Sequence, residues 1–132
     1  MNKLRTQLNK ILKSIHPNAI VQGKSKSRVH FQFPTDETPF PYIVYDLPQS
    51  YFEDDLEVFN LDVDIWDNKT DTTEIETLSQ AIWNELNRYH FINNDMQFTI
   101  YRQSRLTIED DDPRIRRRTL IFQLRYYDRS VN

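Results

Sequence analysis

The sequence predicts an α+β domain: one mixed, mostly antiparallel sheet with an N-terminal helix and a central helix packed on it. Three observations predict it. Leu4, Leu8, Ile11, Leu12 and Ile15 recur at helical spacing near the N-terminus. Within Leu56–Arg88 the apolar period changes from two to three-and-four, so a strand is followed by a helix. Near the C-terminus two long alternating segments flank an acidic loop, the pattern of an antiparallel hairpin.

The first helix runs from Asn2 to Ile15 and stops at Pro17, because the residue before a proline disfavours helical backbone. Ala19–Gln22 is a short strand and Gly23–Ser27 a loop. Arg28–Phe33 alternates Val29, Phe31 and Phe33 with His30 and Gln32, a strand. Pro34–Pro41 holds three prolines and crosses to a strand at Tyr42–Leu47. Pro48 makes regular pairing unfavourable, so Pro48–Asp55 is assigned to a sheet edge or loop.

In the next strand Phe59, Leu61, Val63 and Ile65 face one way, and Asn60, Asp62 and Asp64 the other. Asp67–Asp71 turns the chain. Ile75, Leu78, Ala81, Ile82 and Leu86 form the stripe of the second helix, opened by a capping box of Thr73 with Glu76 or Asp71 with Glu74. His90–Asp95 is a turn. A strand from Met96 through Ile108 and a last strand from about Ile115 to Asp128 close the chain, the latter placing Leu120, Phe122, Leu124 and Tyr126 on one face.

The 132 residues fit one domain, 1–132, able to bury about two thirds of its unfolded surface. A single glycine excludes a glycine-rich phosphate loop, and the absence of cysteine excludes disulfides, thiolate catalysis and cysteine-based zinc sites. No apolar run is long enough for a membrane helix. The N-terminus lacks an apolar signal core, so the cytosol of the producing cell is the expected place of synthesis. The net charge is −3, unevenly laid out. Residues 1–35 carry seven Lys or Arg and no acid; residues 36–76 carry thirteen acids and only Lys69 as a base. Solvated faces account for this blandly; a protomer with oppositely charged sides, suited to head-to-tail assembly, accounts for it more sharply.

Candidate chemistry is sparse. Asp62, Asp64 and Asp67 form a D-x-D-x-x-D pattern of the kind that binds magnesium, but a strand's polar face carries such residues anyway. His16, His30 and His90 lack ligand spacing and read as surface or boundary residues. No serine stands in a nucleophile elbow. The densest charged feature is Glu109, Asp110, Asp111 and Asp112 followed by Arg114, Arg116, Arg117 and Arg118. It reads as a hairpin whose acidic loop faces its own arginine-rich base, or as a contact with a neighbouring subunit. The acidic balance of the chain argues against a dedicated DNA binder. Phe40-Pro41-Tyr42, Tyr45 and Tyr51-Phe52 read as core.

Taken together, the N-terminal helix, Phe33-Pro34, Pro41-Tyr42-Ile43-Val44-Tyr45-Asp46, Leu61-Asp62-Val63-Asp64-Ile65-Trp66-Asp67, the Thr-Glu helix start and the final Arg116–Tyr126 strand resemble the small tail-terminator, or tail-completion, proteins of long-tailed bacteriophages and prophages. The resemblance implies structural work with no catalytic residues and no cofactor. Such a protein is part of the virion and is made in the host cytoplasm. It forms a homo-oligomer, a hexameric ring, that caps the tail-tube protein, stops its polymerisation and offers a surface to head-tail connector proteins. DNA passes through without sequence recognition, and no membrane is involved. Glu109–Arg118 is then the candidate subunit or tube interface, and reversing Arg116, Arg117 and Arg118 is expected to abolish assembly while leaving the monomer folded. Alternatives are a neck protein binding the head side, a host-directed protein-binding module and a nuclease using Asp62 and Asp64.

Overall fold

Helix α1 (Asn2–Ile15) buries Leu4, Leu8, Ile11 and Leu12, the residues its periodicity singles out. The computed structural model describes residues 2–35 and 37–130. After α1 come β1 (Ala19–Val21), β2 (Lys24–Lys26), β3 (Val29–Phe31), β4 (Tyr42–Glu53), β5 (Leu56–Asp67), α2 (Thr73–Leu86), β6 (His90–Ile92), β7 (Met96–Glu109) and β8 (Arg116–Asp128). Strands β1 and β2 pair as a separate ribbon. The main sheet has the order β3-β4-β5-β8-β7-β6, parallel at β3–β4 and antiparallel elsewhere.

One face of the sheet carries the core. Ile43 and Tyr45, Phe59 to Ile65 on alternate positions, Leu120, Phe122 and Leu124, and Met96, Phe98 and Ile100 join α1 and α2 side chains in one buried cluster. Both helices therefore lie on the same face, as the sequence predicts. Each such side chain contributes about 1.5–3 kcal/mol by leaving water. Tyr45 locks β4 to α1: its hydroxyl donates to Asn9 Oδ1 at 2.7 Å and its ring meets Phe31 edge-on at 5.3 Å.

Several local expectations need correction. The segment 23–27 is not a loop throughout. Gln22 and Gly23 both take positive φ, 51° and 76°, and turn the chain so that Lys24–Lys26 pairs back on Ala19–Val21. The third strand is shorter than expected, because Gln32 at φ 69° breaks it and leaves Phe33 78% exposed. Pro48 and the residues after it lie at a sheet edge, one of the two places expected for them, but strand β4 does not stop there. It absorbs Leu47 and Pro48 in a bulge opposite Leu61 and pairs with β5 to Glu53. Proline is tolerated because β3 covers only Ile43–Tyr45, so this half of β4 is a sheet edge. His90–Ile92 is a short strand on β7 rather than a turn. The capping box is absent: Asp71 Oδ1 accepts from Thr73 N and Oγ1, Glu74 pairs with Lys69 and Glu76 with Arg118.

His16 is buried, not a surface residue. Its Nε2–H donates to the Pro41 carbonyl at 2.7 Å, tying the end of α1 to the start of β4. Burial lowers its pKa below the ordinary 6.5, and the charge of Arg28 acts the same way; the Pro41 hydrogen bond and Glu74 oppose them. The folded state thus holds a neutral ring while the unfolded chain takes up a proton below pH 6.5. The stability linked to His16 is complete above that pH and declines as pH falls from 6.5 towards the lowered folded value. In urea titrations between pH 7.5 and 5.5, the midpoint is expected to fall, and H16Q, which keeps a donor, is expected to flatten the fall. Equal slopes for the two proteins would refute the assignment.

Candidate functional site

The charged hairpin is built by register. Strands β7 and β8 place Glu109 opposite Arg116, Ile108 opposite Arg117 and Thr107 opposite Arg118. Between them Asp110–Ile115 folds on itself. Asp110 Oδ1 accepts from Asp112 N at 2.9 Å, and the Asp112 carboxylate accepts from Arg114 N, Nε and Nη2 at 2.9–3.0 Å. Those bonds hold the Asp112 carboxyl down to about 2. Arg116 Nη1 donates to the Pro113 carbonyl at 2.7 Å, which props the loop from inside. Glu109, Asp111 and Arg114 are exposed.

Among the described residues only Arg114 is ion-paired with an acid of the loop, and Arg116 reaches it through the Pro113 carbonyl, so the reading of an acidic loop facing its whole arginine-rich base is corrected for Arg117 and Arg118. Arg117 turns to the face opposite the core. Its guanidinium lies 4.5 Å over the Trp66 ring and 3.1 Å from Asp64 Oδ2; Trp66 in turn stacks on Tyr42. Asp64 also accepts from the buried Thr119 hydroxyl. Arg118 lies on the helix side, donating through Nε to Glu76 of α2 at 2.6 Å. Two of the four arginines are therefore consumed by the fold. Reversing Arg116, Arg117 and Arg118 together strikes the monomer as well as any interface, against the expectation that it spares the fold. Sequence reasoning missed Trp66, Asp64 and Glu76 as partners of these arginines; the one local signal for Asp64 was its place on the polar side of an alternating strand.

The D-x-D-x-x-D pattern does not converge. Asp62 and Asp64 lie on the outer face, whereas Asp67 is fully buried and accepts from Asn68 N at 2.9 Å. Burial, then the charges of Asp64 and Asp46, raise the Asp62 pKa. Among the described residues no three His, Asp or Glu side chains stand in metal-holding geometry. His30 bonds to Thr38 Oγ1 at 3.1 Å and His90 to Thr99 Oγ1 at 2.7 Å, each in a local contact distant from the other. No described helix is long and apolar enough to cross a membrane.

The aromatics divide. Tyr45 is core, as expected, and Phe40 and Tyr42 are half-buried. Tyr51 and Phe52 are not core: they are 45% and 68% exposed on the open half of β4. On the far side of the sheet Tyr101 and Leu106 of β7 are similarly exposed. Next to them Arg102 and Arg105 each lie 5.1 Å from the Trp83 ring, bonding to Trp83 O, Asn84 and Gln80 of α2.

No family model matches the chain, and no curated protein matches its sequence. Among solved structures, a chain from the virion of a native gene transfer agent (GTA) particle has the same fold, with a TM-score of 0.64 at 12% identity, over 90% of this chain and 93% of that chain.

Proposed function

We propose that the chain is a virion structural protein of the tail-terminator type, a non-catalytic protomer that assembles with its own copies into a ring, hexameric in the family it resembles. The ring caps the tail-tube protein, ends tube growth and presents the joining surface to head-tail connector proteins, with DNA passing through unread. The observation that carries the reading is the fold shared, almost end to end, with a chain of a gene transfer agent virion. That likeness supports a virion component. The terminator role rests further on the resemblance of the Pro41–Asp46 and Leu61–Asp67 segments. The same likeness supports a head-side neck protein, and the choice of partner separates the two.

The test is the mass of the purified protein by light scattering, alone and mixed with tail-tube protein. A ring-sized species or tubes of limited length support the terminator. A monomer indifferent to the tube protein overturns it, and binding to a head-side protein instead selects the neck role. Within this reading the exposed end of the β7–β8 hairpin is the tube-facing contact. E109K/D111K changes exposed side chains that have no ion-pair partner among the described residues, and E109K sets a lysine opposite Arg116, so folding stability should fall by no more than about 1 kcal/mol. Tube binding should weaken at least about tenfold, given the like-charge cost of a reversed rim. Unchanged binding would remove the loop from the contact.

A further inference from the structure

Two stretches of the main sheet end in open backbone. On one side β3 covers β4 only at Ile43–Tyr45, so among the described residues Gln49–Glu53 has no paired strand beyond it. On the other, β6 pairs with Gln97–Thr99 and the Arg88–Tyr89 backbone extends this to Ile100, so among the described residues β7 from Arg102 to Glu109 likewise has no strand on its outer side. Open strands of this length template pairing with another chain unless something blunts them. The bulges at Leu47-Pro48 and Gln103 lie at the near end of each stretch, and beyond them both carry exposed apolar side chains, Tyr51 and Phe52 on one and Leu106 on the other.

We infer that these edges are the two halves of one self-interface, in which Gln49–Glu53 of one copy pairs antiparallel with β7 of the next, Tyr51 opposite Leu106. The inference rests on the assembly reading above and names the surface that reading requires. Direction follows from topology. The long strands β4, β5, β8 and β7 alternate in direction, and four is even, so a second copy set beside the first in the same orientation brings its β4 against β7 antiparallel.

Side-chain faces restrict the register to steps of two residues. Tyr51 shares the outer face with Val58, Arg125 and Thr99, its partners across the sheet; Leu106, opposite Thr119, is on that face too. Setting Tyr51 against Leu106 places Phe52 beside Arg105 and the acidic turn Glu53-Asp54-Asp55 beside Arg102. Charge agrees: among the described residues Arg102 and Arg105 have no carboxylate within ion-pair distance, and Asp54 and Asp55 have no cation. An aromatic ring against Arg105 is a cation–π partner of the kind Trp83 already supplies on its other side.

The stagger is compatible with closure. Across the sheet Tyr51 stands level with Thr99, and Leu106 lies seven residues further along β7 with one residue taken up by a bulge. That offset is about 20 Å along the strands, against roughly 19 Å for the width of four strands. A closed ring absorbs such an offset when the strands tilt by roughly 45° to its axis, near the tilt by which barrels close.

Because the chain has no cysteine, introduced thiols report on the contact directly. Y51C/L106C, with Y51C/S104C and Y51C/I108C to cover a slip of two residues, would be oxidised alone and with tail-tube protein, run on non-reducing gels, and the linked peptides mapped. The expected result is a ladder of covalent multimers from at least one pair, absent when either variant is single. Ring-sized particles by light scattering with no cross-link from any pair would overturn this interface and leave the assembly reading standing. No assembly with or without tube protein, in variants that melt as the parent does, would overturn both.

Discussion

Replacing Phe122 by alanine is expected to lower folding stability by about 3–5 kcal/mol. Phe122 is fully buried at the middle of β8, between Leu61 on β5 and Arg102 on β7, and its ring meets Trp83 of α2 at 5.4 Å. Removing it leaves a cavity that the sheet cannot close, because neighbouring strands hold their spacing through backbone hydrogen bonds. For a chain of this size the loss corresponds to a fall in Tm of roughly 10–20 °C, which circular dichroism would register. A fall of only a few degrees would mean that the layer between sheet and α2 is far looser than its contacts indicate. The consequence reaches the surface. Trp83 is held between Phe122 and the guanidiniums of Arg102 and Arg105, so the cavity also unseats the side chains proposed to meet a second copy.

The second large effect concerns Asp64. Its carboxylate is the acceptor for both Arg117 and the Thr119 hydroxyl, and the pair is mostly covered, with Arg117 29% and Asp64 21% exposed. D64A leaves a half-buried cation and a buried hydroxyl without a partner, at a cost of about 2–4 kcal/mol. Arg117 Nε is already buried without a hydrogen bond, so the guanidinium has little to fall back on. In a double-mutant cycle D64A/R117M should recover much of the loss, since the second change removes the stranded charge and keeps a side chain over Trp66. Additive losses would show that the ion pair contributes nothing and that the cost lies with Thr119.

Elements whose pattern is local were legible in the sequence. The stripe Leu4-Leu8-Ile11-Leu12, the alternation of β5 and the hairpin of β7 and β8 all carry their period in consecutive residues, and all formed where expected. What was illegible depended on something outside the segment. Lys24–Lys26 is a strand because two positive-φ residues fold it onto β1, not because its own residues favour one. β4 runs on past Pro48 because its outer side is open there. The arginine run showed the same limit. Its composition suggested a surface patch, yet the partners of Arg117 and Arg118 lie on β5 and α2, and Arg118 reaches across 42 residues to Glu76. Charge density is visible in a string; which charges are spent within the fold is decided by register.

The two bulges stand at the same height, one on β4 opposite Leu61 and one on β7 beside Phe122, while β5 and β8 between them pair without interruption. The outer long strands thus each have one residue more than the inner ones at the same latitude. A ribbon whose margins are longer than its midline cannot lie flat; it buckles into a saddle, and each extra residue bends its own strand further. The curvature is therefore written into a single copy before it meets another. In the ring proposed above that curvature helps set the diameter, and excising Gln103 should alter how many copies complete the circle, read as particle mass by light scattering.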